Sequence, residues 1–200
     1  MAQAADRTVV GRPLERARDG ELRRAALELV GEIGYDRLTI DAVAARVKAG
    51  KATVYRRWES KADLVVDAFL EEMFGSIATP DTGNLRDDLV GLSAQIWVDG
   101  DGLARAQILA GLISALLNND DLQAAFNDTC KPPIEMFDQL VTRAVARGEI
   151  PEPANRLLIG WIMPGLCIFR ITTSGIAPDL EFIESVIDHL VVPALLKGTP

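Results

Sequence analysis

The sequence predicts an all-α protein of about nine helices, with a small three-helix head at the N-terminus and a larger helical body behind it. The first supporting observation is that apolar residues recur at helical spacing along most of the chain. The second is that residues able to cap a helix precede several of these stripes, among them Thr39, Ser60 and Asn84. The third is the stretch 39–64, where two short helical patterns meet at a tight turn.

Composition is ordinary for a soluble globular protein, with 48% hydrophobic and 25% charged residues among 200. No apolar run reaches the roughly 18 residues expected of a membrane span. The longest candidate, residues 157–171, contains Gly160, Pro164, Gly165 and Arg170. The N-terminus lacks the apolar segment of a signal peptide. We therefore expect a cytoplasmic protein.

The net charge of −8 is divided unevenly along the chain. Residues 1–67 hold 13 basic and 11 acidic side chains (+2), whereas residues 68–200 hold 8 and 18 (−10), and the two sums return −8. An acidic body repels nucleic acid, so any DNA contact is expected in the first third of the chain.

The first element in order is residues 1–18, which show no hydrophobic periodicity and carry four arginines. We interpret them as a flexible basic arm, either disordered throughout or ordered along the DNA backbone or in its minor groove. The first helix is expected to begin at Asp19 or Gly20, to bury a stripe that includes Leu22 and Leu29, and to end at Gly34.

The next two helices form the turn-linked pair. Thr39 is a suitable N-cap for the first of them, and Lys48-Ala49-Gly50 interrupts its pattern. The second is expected over about residues 51–58. This length and punctuation predict a helix-turn-helix, whose second helix lies in a DNA major groove.

The second helix has an inward and an outward face. Val54 and Trp58 fall together at 100° per residue and are expected to pack inward. Basic residues outnumber the single acidic Glu59 between positions 46 and 61, which is a plausible phosphate-facing surface. The six basic residues are Arg46, Lys48, Lys51, Arg56, Arg57 and Lys61.

These residues resemble those of the TetR family of transcriptional regulators. Residues 51–58 (KATVYRRW), followed by Ser60-Lys61-x-x-Leu64, look like that family's recognition helix and the start of its fourth helix. Residues 34–44 (GYDRLTIDAVA) are similar to the family's preceding segment, so the resemblance covers roughly residues 20–69. Val47-Lys48 stands where the family commonly has Ala-Gly, and Gly50 where it usually has a serine N-cap.

The resemblance implies a ligand-responsive DNA-binding regulator, most often a repressor, that binds a palindromic operator as a dimer and is released by a small-molecule effector. It implies a DNA-binding domain over residues 19–66, a linker helix to about residue 78, and an effector-binding and dimerisation domain over residues 79–200. Such a protein would be bacterial, cytoplasmic and nucleoid-associated when bound to DNA. The expected DNA contacts are Thr39, Lys51, Ala52, Thr53, Tyr55, Arg56, Arg57 and Lys61.

The body opens with turn-forming residues 79–83, after which Asn84 caps a helix. Residues 99–102 (DGDG) lack the later ligands of a calcium loop and are interpreted as a turn. Residues 103–117 are apolar nearly all round, which favours a helix buried inside the body. Pro132-Pro133 is expected to break or restart the following helix, and Gly148 to close it.

An effector pocket is expected among the middle helices of the body. Arg170, within an apolar helix, needs a partner, either an acidic residue or an anionic ligand. For the apolar candidates the alternative is ordinary core. The residues that could line the pocket are Trp97, Gln107, Phe126, Met136, Phe137, Trp161, Met163 and Arg170.

The last two helices, expected over about residues 154–173 and 179–197, have more apolar surface than a monomer easily buries. They are either the core of the body or, as the resemblance implies, a four-helix interface between two copies. The residues expected at this interface are Leu158, Ile162, Phe169, Phe182, Val186 and Leu190.

Two other functions remain open on sequence grounds. One is an enzyme, although His189, Cys130 and Cys167 in unrelated contexts suggest no catalytic residues, metal site or cofactor. The other is a helical ligand-binding or scaffold protein that has no specific DNA target, since Lys48 and Gly50 depart from the family pattern.

Overall fold

The computed structural model describes residues 11–98, 108, 111–153 and 155–197. Within these ranges all the regular elements are helical, which confirms the all-α prediction. The expected turn at residues 99–102 lies outside the described residues.

The head consists of α1 (Gly11–Ile33), α2 (Ile40–Arg46) and α3 (Lys51–Tyr55), and α4 (Lys61–Phe74) follows it. Helix α1 begins at Gly11, eight residues before the expected Asp19, so the expected start of the first helix is wrong. The flexibility of the basic arm stays a prediction, and residues 1–10 lie outside the description. Periodicity missed this extension because residues 11–18 contain no apolar stripe. Pro13 is compatible with it because it lies in the first turn, where no backbone donor is required.

Side-chain caps fix the ends of the head helices. The Thr39 hydroxyl accepts from the Ala42 amide at 3.1 Å, as expected. Ser60 and Asp63 form a reciprocal capping box at α4, with bonds of 3.1 and 2.9 Å. Helix α3 is shorter than expected and ends at Tyr55, with the amides of Arg57 and Trp58 both bonded to the Val54 carbonyl. Helix α4 ends at Phe74, a few residues before the expected end of the linker helix.

The turn between α2 and α3 contains a strained residue. Lys48 has φ +53°, a left-handed conformation that L-residues with a Cβ adopt at a cost. This is the position at which the sequence has lysine where glycine is expected. The guanidinium of Arg18, on α1, donates to the Lys48 carbonyl at 3.0 Å and holds the turn against the first helix.

The body begins with α5 (Leu85–Trp97), a helical stretch at residues 111–116 (α6), α7 (Asp120–Thr129) and α8 (Pro132–Ala146). Asn84 caps α5, and Gly148, at φ +75°, closes α8, both as expected. Helix α7 ends before Cys130, and α8 begins at Pro132. The first residues of a helix need no amide donor, so Pro132 and Pro133 cost no intrahelical hydrogen bond. Leu112 is buried, but Leu117 is 78% exposed, so the expected all-round burial is wrong for the described part of this segment.

The two C-terminal helices are both interrupted. The first consists of α9 (Arg156–Gly160) and α10 (Ile162–Ser174), and Pro164 lacks the amide that would bond to the Gly160 carbonyl. The second consists of α11 (Leu180–Val186), a π-helical turn (Ile187–Val191) and α12 (Val192–Leu196). The π turn lies beside Pro193, which cannot donate to the His189 carbonyl, so the ladder widens there.

The segment Arg156–Ser174 is long and apolar enough to cross a membrane by length and composition alone, and 17% of it is buried in the chain. The sequence-based expectation that this run is too interrupted to qualify is therefore wrong on length and hydropathy. Its apolar surface belongs to the two-helix face described below.

Helix α4 connects the two parts of the molecule. It packs against α1 in the head and against α7 and α8 in the body. Leu64, Val65 and Ala68 are buried on the head side, and Phe69 and Met73 continue the same core into the body. A rotation or shift of α4 therefore affects both parts.

Replacing Lys48 with glycine should raise the free energy of unfolding by about 0.5–1 kcal/mol. Relief of a left-handed conformation that costs about 1–2 kcal/mol exceeds the extra entropy that glycine gives the unfolded chain. Urea denaturation followed by circular dichroism measures this change. Lys48→Ala keeps a Cβ and is the matched control, so an equal gain from alanine would contradict the backbone explanation.

Candidate DNA-binding face and effector cavity

The outward surface of the head is formed by α3 and the first turn of α2. Ala52 and Arg56 are exposed, Tyr55 is 47% exposed, and Thr53 is half-buried. Thr39 is exposed at the start of α2. Val54 is fully buried and Trp58 nearly so, as their helical positions predict. The polar candidates thus lie on the side of α3 that faces away from the core.

Lys51 links the beginnings of α2 and α3. Its ammonium lies 3.0 and 3.1 Å from the two carboxylate oxygens of Asp41 and 5.8 Å from the centre of the Tyr55 ring. The hydrogen bond to Asp41 raises the pKa of Lys51, so the side chain is cationic at neutral pH. Lys51 and Tyr55 therefore lie together near the Thr39 end of α2.

Two consecutive arginines at the end of α3 have different surroundings. Arg56 is exposed, and no residue in the described part of the chain pairs with its guanidinium. The Arg57 side chain is 14% exposed, forms an ion pair with Asp19 on α1, and donates to the Thr53 carbonyl at 3.1 Å. The structure therefore places Arg57 away from the other expected groove contacts, because one helical step turns it back toward α1.

Lys61 lies at the first position of α4 rather than on α3. Its ammonium donates to the Tyr35 carbonyl at 3.0 Å and sits 4.0 Å from the centre of the Tyr35 ring. Burial raises the pKa of the Tyr35 hydroxyl to about 12. Lys61 is thus half-buried and positioned by the α1–α2 turn, at the edge of the outward surface.

One carboxylate joins three elements beneath this surface. Asp67 Oδ2, on α4, accepts from Arg23 Nε on α1 and from the indole nitrogen of Trp58 after α3, both at 2.8 Å. Arg23 also lies 6.0 Å from the centre of the Trp58 ring. The recognition helix is therefore tied to α4 through Trp58. Sequence reasoning placed Trp58 inside but had no signal for its partner, since Asp67 lies on a different helix.

An apolar cavity of about 280 Å³ lies in the body, directly beyond Asp67 along α4. Its lining residues are mostly aromatic and aliphatic, and three of them lie on α4. Burial raises the pKa of the Cys130 thiol in this wall to about 11, so it is uncharged at neutral pH. The lining residues are Phe69, Met73, Phe74, Ile96, Trp97, Phe126, Cys130, Pro133, Ile134, Phe137, Asp138, Arg156, Leu157, Gly160, Trp161, Pro164 and Ile168.

Four of the residues predicted for an effector pocket line this cavity: Trp97, Phe126, Phe137 and Trp161. Met163 lines a smaller neighbouring cavity of about 50 Å³. Met136 packs against the core and lines neither cavity, and Gln107 lies outside the described residues. Aromatic residues on helices therefore indicated several of the residues that line the cavity. The structure was needed to show which face of α8 points inward.

Arg170 does not reach the cavity. Its guanidinium pairs with Asp179 at 3.3 Å and lies 4.5 Å from the centre of the Phe182 ring. The sequence left two kinds of partner open for Arg170, and in the structure the partner is the acidic Asp179. Arg170 lines neither cavity, so the expectation of Arg170 as a pocket residue is wrong. The cavity has a different arginine, Arg156.

Sequence reasoning missed the polar edge of the cavity. Arg156 binds Glu152 in a bidentate pair at 2.7 Å, and its third nitrogen donates to Asp138 at 2.9 Å and Thr142 at 2.7 Å. These bonds raise the pKa of Arg156 and lower that of Glu152. Asp138 and Arg156 are far apart in sequence and have no shared motif, so no pattern could have paired them.

An exposed apolar face is formed by the two C-terminal helices. Leu158 is 65% exposed, Phe169 is 66% exposed, and Leu190 is also exposed. Ile162 and Phe182 are half-buried. Val186 is buried inside the chain, so the expectation that it faces a partner is wrong. The π turn that follows Val186 changes the side of the helix presented to solvent.

A helix-turn-helix with an exposed basic second helix, joined by one long helix to a body with an apolar cavity, defines a DNA-binding transcriptional regulator. The chain belongs to the TetR family. The profile described as "Bacterial regulatory proteins, tetR family" matches residues 22–68, and that described as "Tetracyclin repressor-like, C-terminal domain" matches residues 79–190. The family and its named members are regulators and not enzymes.

Similar proteins extend along the whole chain. An uncharacterised helix-turn-helix transcriptional regulator of Mycobacterium tuberculosis is 40% identical, covering 100% of this chain and 98% of its own. The DNA-binding transcriptional repressor TetR of Mycobacteroides abscessus is 32% identical over 90% of this chain and 95% of its own. A transcriptional regulator from Saccharomonospora viridis, solved in complex with choline, has the same fold at a TM-score of 0.56 and 14% identity, covering 87% of this chain and 97% of its own.

The neighbouring arginines give a matched test of the head's architecture. Arg57→Ala should lower the free energy of unfolding by about 1–2 kcal/mol, because it leaves the half-buried Asp19 without its partner. Arg56→Ala should change it by less than about 0.5 kcal/mol, as expected of an exposed side chain. Urea denaturation of both variants decides the point, and equal losses would contradict the different roles assigned here.

Proposed function

We propose that this protein binds a palindromic operator as a homodimer, represses transcription there, and leaves the DNA when a small molecule occupies the cavity. The observation that carries the proposal is that α4 is both the cavity wall and the support of the recognition helix. Members of the TetR family bind operator DNA, usually as dimers, and respond to small-molecule effectors. A regulator of this class works in the cytoplasm, and we extend this to the nucleoid for the DNA-bound state.

The domain division proposed from the sequence is kept for the head and body. The two family profiles fall on either side of the boundary, at residues 22–68 and 79–190, which supports a DNA-binding head over residues 19–66 and a body from residue 79. The helical residues 11–18 extend the head.

Arg56 is the proposed base-reading residue. It is exposed at the C-cap of α3 and has no partner among the described residues, so its planar guanidinium is available to bind a guanine edge. Thr39, Lys51, Tyr55 and Lys61 are the proposed phosphate contacts, which position the head without reading sequence. The Lys51–Asp41 bond must exchange for a phosphate contact, which is inexpensive for a solvent-exposed ion pair.

Ala52 and Thr53 complete the surface proposed to face the groove, since small side chains on α3 allow the helix backbone to approach the bases. Arg57 is proposed to act indirectly, by holding α3 against α1 through Asp19. This changes the role inferred for it from sequence.

The proposed dimer interface is the apolar face formed by α9 to α12. Leu158, Phe169 and Leu190 form its exposed part, with Ile162 and Phe182 packed behind them. A two-fold operator requires two recognition helices at a fixed separation, and a two-fold interface distant from the DNA supplies it. Burial of this face also accounts for a helix whose length and hydropathy suit a membrane.

Two contacts support the proposed coupling between cavity and DNA. A ligand in the cavity would contact α4 through Phe69, Met73 and Phe74. Asp67 on the same helix accepts the hydrogen bond from the Trp58 indole. At the start of α7, Asn119 donates to Asp36 in the α1–α2 turn at 3.2 Å, while Phe126 on the same helix lines the cavity. A ligand that fits better when α4 and α7 are displaced would shift the population away from the DNA-binding arrangement.

Repression, rather than activation, is proposed because the M. abscessus relative is named a repressor. The mechanism requires no contact with another protein: two heads bound to an operator that overlaps a promoter exclude the transcription machinery.

A pool of genomic fragments, incubated with the purified protein and sequenced after retention, should be enriched in one palindrome. On that site Arg56→Ala should lose about 1–3 kcal/mol of discrimination against random DNA, because a bidentate contact to a base is removed. Fluorescence anisotropy on both DNAs measures the difference. The slope of log affinity against log salt should steepen by about 0.9 for each phosphate neutralised.

Absence of any enriched palindrome would contradict the regulator and favour a helical ligand-binding protein without a DNA target. An equal loss on operator and random DNA would instead show Arg56 to be a backbone contact.

Phe169→Glu should convert the dimer to a monomer, because a charge would be buried in the proposed interface. Sedimentation velocity measures the mass, and operator affinity should fall by about 100-fold or more as the second head is lost. Leu117→Glu, at an exposed leucine outside α9 to α12, is the matched control and should leave both unchanged. A dimer that survives Phe169→Glu with unchanged affinity would refute this interface.

A further inference from the structure

We propose that the effector is a small, flat, uncharged aromatic compound with one hydrogen-bond donor at its edge. This inference rests on the proposed function, since it names the ligand class of the same cavity. Three observations carry it: the composition of the walls, the cavity volume, and the charge balance at the polar edge.

The walls concentrate the aromatic residues of the chain. The sequence has six Phe, three Trp and two Tyr, and six of these eleven rings line this one cavity: Phe69, Phe74, Trp97, Phe126, Phe137 and Trp161. Aromatic rings interact with one another in stacked and edge-to-face arrangements that add to area burial. A flat aromatic ligand gains these contacts from several walls, whereas an alkyl chain gains area burial alone.

The volume limits the size of the ligand. A cavity of about 280 Å³ lies at the lower end of the range for small-molecule sites, so one or two fused rings fit without rearrangement. Phe137 lines both this cavity and the neighbouring one of about 50 Å³. A Cβ at Gly160 would lie 3.1 Å from the Phe137 ring, so the ring is packed against the backbone there and closes the cavity on that side.

The polar edge offers an acceptor without a spare positive charge. Arg156 uses four of its five N–H groups on Glu152, Asp138 and Thr142, so an anionic ligand would have to displace a carboxylate that is already paired. A cationic ligand would share the Asp138 carboxylate with Arg156, whose guanidinium lies 2.9 Å from Asp138 Oδ1 and repels a second positive charge.

The remaining hydrogen-bonding capacity belongs to Asp138. Its Oδ1 accepts from Arg156, and among the described residues no donor is bonded to its Oδ2. A hydroxyl or ring N–H at the edge of the ligand would donate a hydrogen bond to this Oδ2. The Asp138 side chain is 54% exposed, so a donor on the ligand would replace solvent at this oxygen, and the site offers no free cation to an acidic group.

The test uses one ring system with four edge groups: 1-naphthol, 1-methoxynaphthalene, 1-naphthoate and 1-naphthyltrimethylammonium. Trp97 and Trp161 line the cavity, so quenching of tryptophan fluorescence in the full-length protein reports binding. 1-Naphthol should bind about three- to tenfold more tightly than 1-methoxynaphthalene, which lacks the donor, and more tightly than either charged compound.

Two variants locate the donor's partner. Asp138→Leu should make the affinities for 1-naphthol and 1-methoxynaphthalene equal, because the acceptor is removed. Glu152→Gln, which changes a partner of Arg156 that does not line the cavity, should preserve the ratio. Should Asp138→Leu not fold, the four-compound series on the unmodified protein still decides.

Tightest binding of the naphthoate or of the ammonium compound, or no binding of any of the four, would overturn the proposal, as would an unchanged ratio in Asp138→Leu. Operator enrichment is measured without any ligand, so it tests the proposed function separately. Binding of 1-naphthol without release of operator DNA would support the ligand class and contradict the proposed release mechanism.

Discussion

The arrangement of the head depends on the hydrogen bonds accepted by the carboxylate of Asp67. A single oxygen accepts hydrogen bonds from Arg23 on α1 and from Trp58 at the end of the recognition helix, both at 2.8 Å. Bonds to a charged acceptor are roughly twice as strong as neutral ones. Because Asp67 itself lies on α4, these bonds fix the recognition helix to the element that leads into the body. The orientation of α3 is therefore set by α4 and not by the short α2–α3 turn alone.

The cavity uses the same helix two turns further on. Phe69, Met73 and Phe74 follow Asp67 within seven residues, so the helix that holds Trp58 through Asp67 also supplies three side chains to the cavity wall. In the proposed mechanism, a ligand binds more tightly when the aromatic rings of α4 fit it better. A displacement of α4 that improves this fit also moves Asp67, which is bonded to Trp58. In the proposed mechanism, the energy available for regulation is the difference in ligand affinity between the DNA-binding arrangement of α4 and a displaced one.

Much of the fold was predictable because it depends on local signals. The caps at Thr39, Ser60 and Asn84, and the glycines that end α1 and α8, are where short-range chemistry requires them. The expected start of the first helix at Asp19 was wrong because the extension of α1 over residues 11–18 is marked by no apolar stripe. The interruptions at Pro164 and Pro193 were not predicted as breaks, since packing on neighbouring helices decides whether a proline kinks a helix or ends it.

The sequence by itself determined the class of protein, because the helix-turn-helix is a contiguous segment whose caps, spacing and basic residues are all local. The tertiary structure decided which side chains share a site. Arg56 and Arg57 are adjacent and identical in type, yet one is exposed and the other is paired with Asp19 across the head. Arg156, and not Arg170, borders the cavity, because each arginine is placed by carboxylates outside its own helix. Such pairings join residues distant in sequence, and only folding brings their charges within a few ångströms of one another.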